Sequence, residues 1–132
     1  MESILKTLKD IDINTEIHQK DGSLVIRDFA KACFNMVDEL VDITIMIKML
    51  LQRKRKLHKD GLTVISDMGI FFHRKRIFDL ISHETRLSLG SDNDNEIRMF
   101  CCYETTNLEL VTQRQKQQIL KPHNKIFSHT DV

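Results

Sequence analysis

From Ile26 onward, apolar or β-branched residues recur at alternating spacings of four and three: Ile26, Ala30, Cys33, Val37, Leu40, Thr44, Ile47 and Leu51. That period is the one at which a helix returns the same face, so the pattern predicts an amphipathic helix. A second row, Phe29, Ala32, Met36, Ile43, Met46 and Leu50, runs beside it and widens the apolar face beyond a two-stranded seam, as the central helix of a bundle requires. Asp28, Lys31, Asn35, Asp38, Glu39 and Asp42 would form the wet side. Ser23, after the turn-like Asp21-Gly22, is placed to cap the helix, and Gly61 to close it. The expected element is a long helix over about 23–59.

The remaining pattern is weaker. Ser3–Asp10 suits a short first helix, with Ile4, Leu5 and Leu8 on one side. Leu62–Ser66 is rich in β-formers, yet Ile65, Met68, Phe72, Phe78 and Ile81 also mark a partial helical face, and a helix over 62–82 is preferred, with Gly69 its weak point. Gly90–Asn95 is a loop by composition. Alternation of Ile97, Met99, Cys101 and Tyr103 is compatible with a short strand near 97–103 or with a helix start. Thr106 and Glu109 have capping-box spacing, so a last helix is expected over Asn107–Leu120, ended by Pro122. Its apolar face is thin. The expected fold class is mainly α: a small helical bundle around the long central helix, one domain over 1–120 and a flexible tail over 121–132.

Composition adds little to this picture. A chain of 132 residues, 41% apolar and 30% charged, can bury a core without staples. The start lacks the cationic and apolar pattern of a secretory signal, and the apolar-rich stretch Cys33–Leu51 is interrupted by carboxylates that a membrane span would not tolerate. Three cysteines, two of them adjacent, do not make a disulfide framework, so reduced thiols in a cytoplasmic or nuclear setting are expected.

Charge changes the picture more. Net charge is +1, but residues 48–76 carry nine basic groups against two acidic ones. Arg53-Lys54-Arg55-Lys56, extended by His58 and Lys59, and Arg74-Lys75-Arg76 flank Gly61, and a helical hairpin there would bring them onto one surface. That surface is the candidate binding patch: Arg53, Lys54, Arg55, Lys56, Lys59, Arg74, Lys75 and Arg76. It would suit phosphates of nucleic acid, anionic lipid or an acidic partner; the first run also has the form of a nuclear localisation signal. The competing explanation is a solvated helix end favoured by the helix dipole.

Catalytic signatures are missing. The four glycines form no phosphate loop. Six histidines and three cysteines show no close pairs of the kind that hold structural zinc, and His83-Glu84 begins a zinc-protease pattern whose second histidine position is Leu87. No metal, cofactor or enzymatic activity is therefore expected, and Cys33, Cys101 and Cys102 are read as packing. The terminal Thr130-Asp131-Val132 has the residue types of tails that add a strand to a peptide-binding groove. The segment from Asp21-Gly22 to Leu40, with Phe29, Ala32, Cys33 and Leu40, resembles the first long helix of glycolipid-transfer domains, which are all-helical lipid binders. The chain is shorter than that family, has no Trp and lacks its headgroup-binding pattern, so no site residue carries over and the resemblance implies only that lipid binding stands among the alternatives. The function expected is a non-enzymatic protein-interaction or adaptor module using apolar helix faces, with a protein partner or a second copy. A phosphate-binding module, for nucleic acid or anionic lipid, is the alternative.

Overall fold

The computed structural model describes residues 2–37, 39–91, 96–123 and 125–127. Its elements run α1 (Glu2–Asp10), α2 (Thr15–Asp21), α3 (Phe29–Cys33), α4 (Thr44–Lys56), β1 (Leu62–Asp67), α5 (Gly69–His73), α6 (Ile77–Ser91), β2 (Ile97–Cys102), α7 (Thr105–Leu108) and α8 (Gln113–Leu120). Helix predominates, but the organising unit is a βαβ crossover. Strands β1 and β2 pair in parallel from Leu62↔Ile97 to Asp67↔Cys102, and α5 and α6 form the connection that a parallel pair demands.

The long central helix is not formed. Residues placed on its wet side instead cap and turn the chain. The Asp28 carboxylate accepts from the amides of Ala30 and Lys31 and starts α3. Asn35 Oδ1 accepts from Val37 and Glu39, and an antiparallel bridge joins Phe34 to Leu40. Asp42 accepts from Thr44 at the entry to α4. Short polar side chains compete with helical hydrogen bonding in this way wherever the backbone can turn. The break leaves Met36 and Val37 exposed, although both fell on the predicted apolar rows. Ser23 caps no helix; its hydroxyl donates to Asp21.

Nor does α4 wait for Gly61. It closes at Leu57 with His58 in the left-handed conformation (φ 55°), while Lys59 N–H reaches Lys54 C=O and His58 N–H reaches Arg55 C=O. The same double closure ends α5 with Lys75 at φ 56° and α1 with Asp12 at φ 63°. Three helices thus end on a motif that usually employs glycine, and a rule keyed to glycine overlooks them.

The predicted helix over 62–82 resolves into β1, α5 and α6. Consecutive Thr63, Val64 and Ile65 favour extended backbone, and Asp67 Oδ1 accepts from Gly69 N–H to turn the chain out of the strand. The alternating residues near 97–103 form the strand β2. The expected last helix divides into α7 and α8, because the capping box closes at Thr112 and Gln115, not at Thr106. Gly90 lies within α6, which extends to Ser91, and the rest of the expected loop is outside the described residues, as is Thr130-Asp131-Val132.

One face of the sheet meets the core. Met68, Phe71, Leu80 and Ile119 are fully buried there, joined by Cys33, Phe34, Ile43, Ile47, Leu51 and Leu87. Phe71 sits at the centre of an aromatic group, with Phe29, Phe34 and His83 within 6.2 Å. Among the described residues no helix is long and apolar enough to cross a membrane.

Candidate functional site

In a parallel ladder, alternate residues direct both backbone groups to the neighbouring strand. Leu62 N–H donates to Glu96 C=O and Met68 N–H to Cys102 C=O, so Leu62, Val64 and Ser66 face β2. Thr63 and Ile65 therefore turn their amides and carbonyls to the opposite edge, where no strand pairs with them among the described residues. A cleft of about 230 Å³ runs along that edge. Leu62–Ser66 form one wall, the segment Gly22–Val25 another, and Phe29, Met46, Leu50 and Leu57 make it apolar. Arg27, Arg53, Lys54 and Lys59 contribute to its lining and give it a cationic character.

Gly22 is required here. Its φ is 85°, and a Cβ would fall 2.5 Å from the Arg53 guanidinium, which lies against the turn. Arg53 has no ion-pair partner among the described residues and Lys59 acts on the Asp21 carboxylate only at longer range, in contrast to Lys54 and Arg55, which bind the Glu96 carboxylate. Both Arg55 contacts are 3.3 Å. These cations hold the Glu96 carboxyl below its ordinary range. Lys56 is exposed at the end of α4.

The second basic cluster has a different setting. The guanidinium carbons of Arg74 and Arg76 lie 5.0 and 4.9 Å from the centre of the Phe34 ring, and Arg76 also pairs with Asp79. Lys75 is exposed and supplies the left-handed closure of α5. A six-residue strand, spanning about 20 Å, and the short helix α5 separate the clusters along the chain in place of a helical hairpin.

The outer face of the sheet is open. Ile65 and Phe100 are register partners there, 72% and 45% exposed, flanked by Thr63, Asp67, Arg98 and the exposed Cys102. Parallel sheets are almost always covered on both faces. On α4, Ile45 and Met49 add a further exposed apolar pair one turn apart.

Beneath the covered face lies a polar cluster. Glu84 projects from the middle of α6 with only 1% of its surface exposed. Its Oε1 accepts from the Cys101 thiol at 3.1 Å, and its Oε2 meets His123 Nε2 just beyond α8. Burial, reinforced by Glu84, pushes the Cys101 thiol and the Tyr103 hydroxyl up, whereas the Glu84 contact raises His123. The Tyr103 hydroxyl is buried close to the Glu84 carboxylate without a well-aligned hydrogen bond to it. His83, next to Glu84, is also buried; desolvation lowers it, and it packs edge-on to Phe29. Cys33 is pushed up to about 12 by burial alone.

The sequence shows Glu84 only within a broken zinc-protease pattern and Cys101 only as packing; nothing in it joins Glu84, the Cys101–Tyr103 stretch and His123, which lie far apart along the chain. One signal was present: Leu80, His83, Glu84 and Leu87 occupy the i, i+3, i+4, i+7 stripe of α6, which places a carboxylate on an apolar face. Comparison with known proteins gives no match to a family model, a curated protein or a solved structure.

Proposed function

We propose that this chain is a protein-interaction module that captures an extended, partly acidic segment of a partner as an added strand along β1. The observation that carries this reading is the free edge of β1: Thr63 and Ile65 direct backbone donors and acceptors into an apolar cleft. Main-chain bonding along such an edge provides affinity, and flanking pockets select alternate side chains. Arg53 and Lys59 favour a carboxylate on the segment, and Ile65 and Phe100 extend the apolar surface beside it. The phosphate-binding alternative draws less support, since Lys54, Arg55, Arg74 and Arg76 are already engaged within the chain.

The test is selection from a displayed library of random peptides, followed by calorimetry of the enriched sequences. Alternating apolar residues with Asp or Glu are expected. Thr63→Pro removes an edge N–H that the fold leaves unpaired and should abolish binding, and Arg53→Glu should weaken it at least tenfold. Enriched peptides indifferent to Thr63→Pro overturn the proposal. So does a dimer of the free chain that Thr63→Pro dissolves, which assigns the edge to a second copy.

A further inference from the structure

We propose that Glu84, Cys101 and His123 form a mononuclear site for a divalent transition metal, with zinc the best match. The donor atoms Oε of Glu84, Sγ of Cys101 and Nε2 of His123 all lie within 4.8 Å of one another. Tetrahedral zinc, with bonds of about 2.0–2.3 Å, sets its ligands roughly 3.3–3.6 Å apart, so the ion would enter by parting the direct Glu84–His123 contact. They come from three separate elements, α6, β2 and the turn after α8, and so converge only in the folded chain.

Charge balance supports the assignment. A buried carboxylate and a half-buried thiolate together carry two negative charges, which a divalent cation neutralises; isolated charges in such a place are costly. A neutral imidazole completes the set. When the metal binds, the Cys101 S–H bond breaks, its proton passes to solvent, and the sulfur lone pair forms the metal–sulfur bond; the His123 Nε2–H that faces Glu84 is given up as well, the neutral ring keeping its one proton on Nδ1, so that the Nε2 lone pair forms the metal–nitrogen bond. No redox change is involved. Three protein ligands leave a fourth position open, the arrangement of zinc sites that bind water or substrate. The buried Tyr103 hydroxyl, two residues beyond Cys101 and packed against the core, is a hydrogen-bonding group available to an occupant of that position.

This site also gives a role to His123, which ties the chain beyond α8 to the centre of α6. The inference does not depend on strand capture along β1, which involves other residues.

The experiment begins with the whole chain freed of metal by a chelator and titrated with cobalt(II). Binding of one cobalt per chain is expected, with the visible spectrum of a four-coordinate ion and a thiolate-to-cobalt charge-transfer band in the near ultraviolet. Zinc should displace the cobalt and raise the melting temperature. Cys101→Ser should abolish the charge-transfer band, whereas Cys102→Ser, on the exposed face, should leave it unchanged. Tyr103→Phe should weaken binding about 10- to 100-fold, as loss of an outer hydrogen-bonding partner does at other metal sites. Because Cys101→Ser alters a half-buried position, X-ray absorption of the zinc-loaded wild-type chain provides an independent readout. One sulfur with nitrogen or oxygen neighbours supports the site. An absence of stoichiometric binding, a shell without sulfur, or a band lost with Cys102→Ser overturns it.

Discussion

The two faces of the sheet are built from the same twelve residues and have opposite fates. Leu62, Val64, Ser66, Ile97, Met99 and Cys101 turn toward helices; Thr63, Ile65, Asp67, Arg98, Phe100 and Cys102 turn toward solvent. Cys101 and Cys102 make the contrast within one peptide unit: the first donates to a buried carboxylate, and the second is exposed. Adjacent residues of a strand point to opposite sides, so a chain can place stability and recognition one residue apart. The covered face should therefore govern whether the protein folds, and the open face and its edge what it meets.

Substitutions test that division. The largest effect is expected on the covered side: Phe71→Ala removes the fully buried ring at the centre of the aromatic group and should cost about 3–5 kcal/mol in urea unfolding. A domain with a net stability of about 5–15 kcal/mol would lose a large share of it. Glu84→Gln in the metal-free chain leaves His123 and Cys101 facing an amide and should cost about 1–3 kcal/mol. Lys75→Gly, outside both faces, should raise stability by about 1 kcal/mol by relieving a left-handed residue. Ile65→Thr and Phe100→Thr should change the unfolding free energy by no more than about 0.5 kcal/mol while reducing peptide capture. A thiol reagent should modify the exposed Cys102 first in the folded chain, ahead of Cys101 and Cys33, although partial burial and Asp67 raise the Cys102 thiol as well. If Phe100→Thr proves as damaging as Phe71→Ala, the two faces are not distinct in the way described.

Acid offers a milder test at the edge of the sheet. Lys54 and Arg55 depress the Glu96 carboxyl, so the folded chain holds the ionised form more tightly than the unfolded chain does. That contribution is fully present above the ordinary glutamate range and is lost as pH falls through the depressed value. The difference in unfolding midpoint between wild type and Glu96→Gln should accordingly shrink in acid. A difference that persists there would assign the effect to packing.

Much of the local chemistry was legible before the fold was. The polar residues of 28–42 were visible, but period alone assigned them to a helix surface, whereas Asp28, Asn35 and Asp42 act as caps and turns. A heptad pattern counts positions and cannot register a side chain that captures the backbone amides next to it. Leu62–Ser66 carried its strand signal openly; what sequence could not provide was the partner, since Ile97–Cys102 joins it only across the crossover. The basic runs were easy to locate, but their assignments to Glu96, to Phe34 and to the cleft depend on elements distant in the chain. The polar cluster was hidden for the same reason. Close-spaced ligand pairs report local metal sites, and Glu84, Cys101 and His123 are not local.

The parallel pairing also imposes a timetable. Each rung joins residues 35 positions apart, from Leu62↔Ile97 to Asp67↔Cys102. At a synthesis rate of roughly 5–20 residues per second, β1 is complete for about 2–7 s before its mate has been made. Throughout that interval both of its edges, including three successive β-branched residues, are available to any neighbouring chain. The nascent protein is therefore most prone to mispairing midway through its synthesis, and α4, made before β1 and packed against it, gives the strand its first cover.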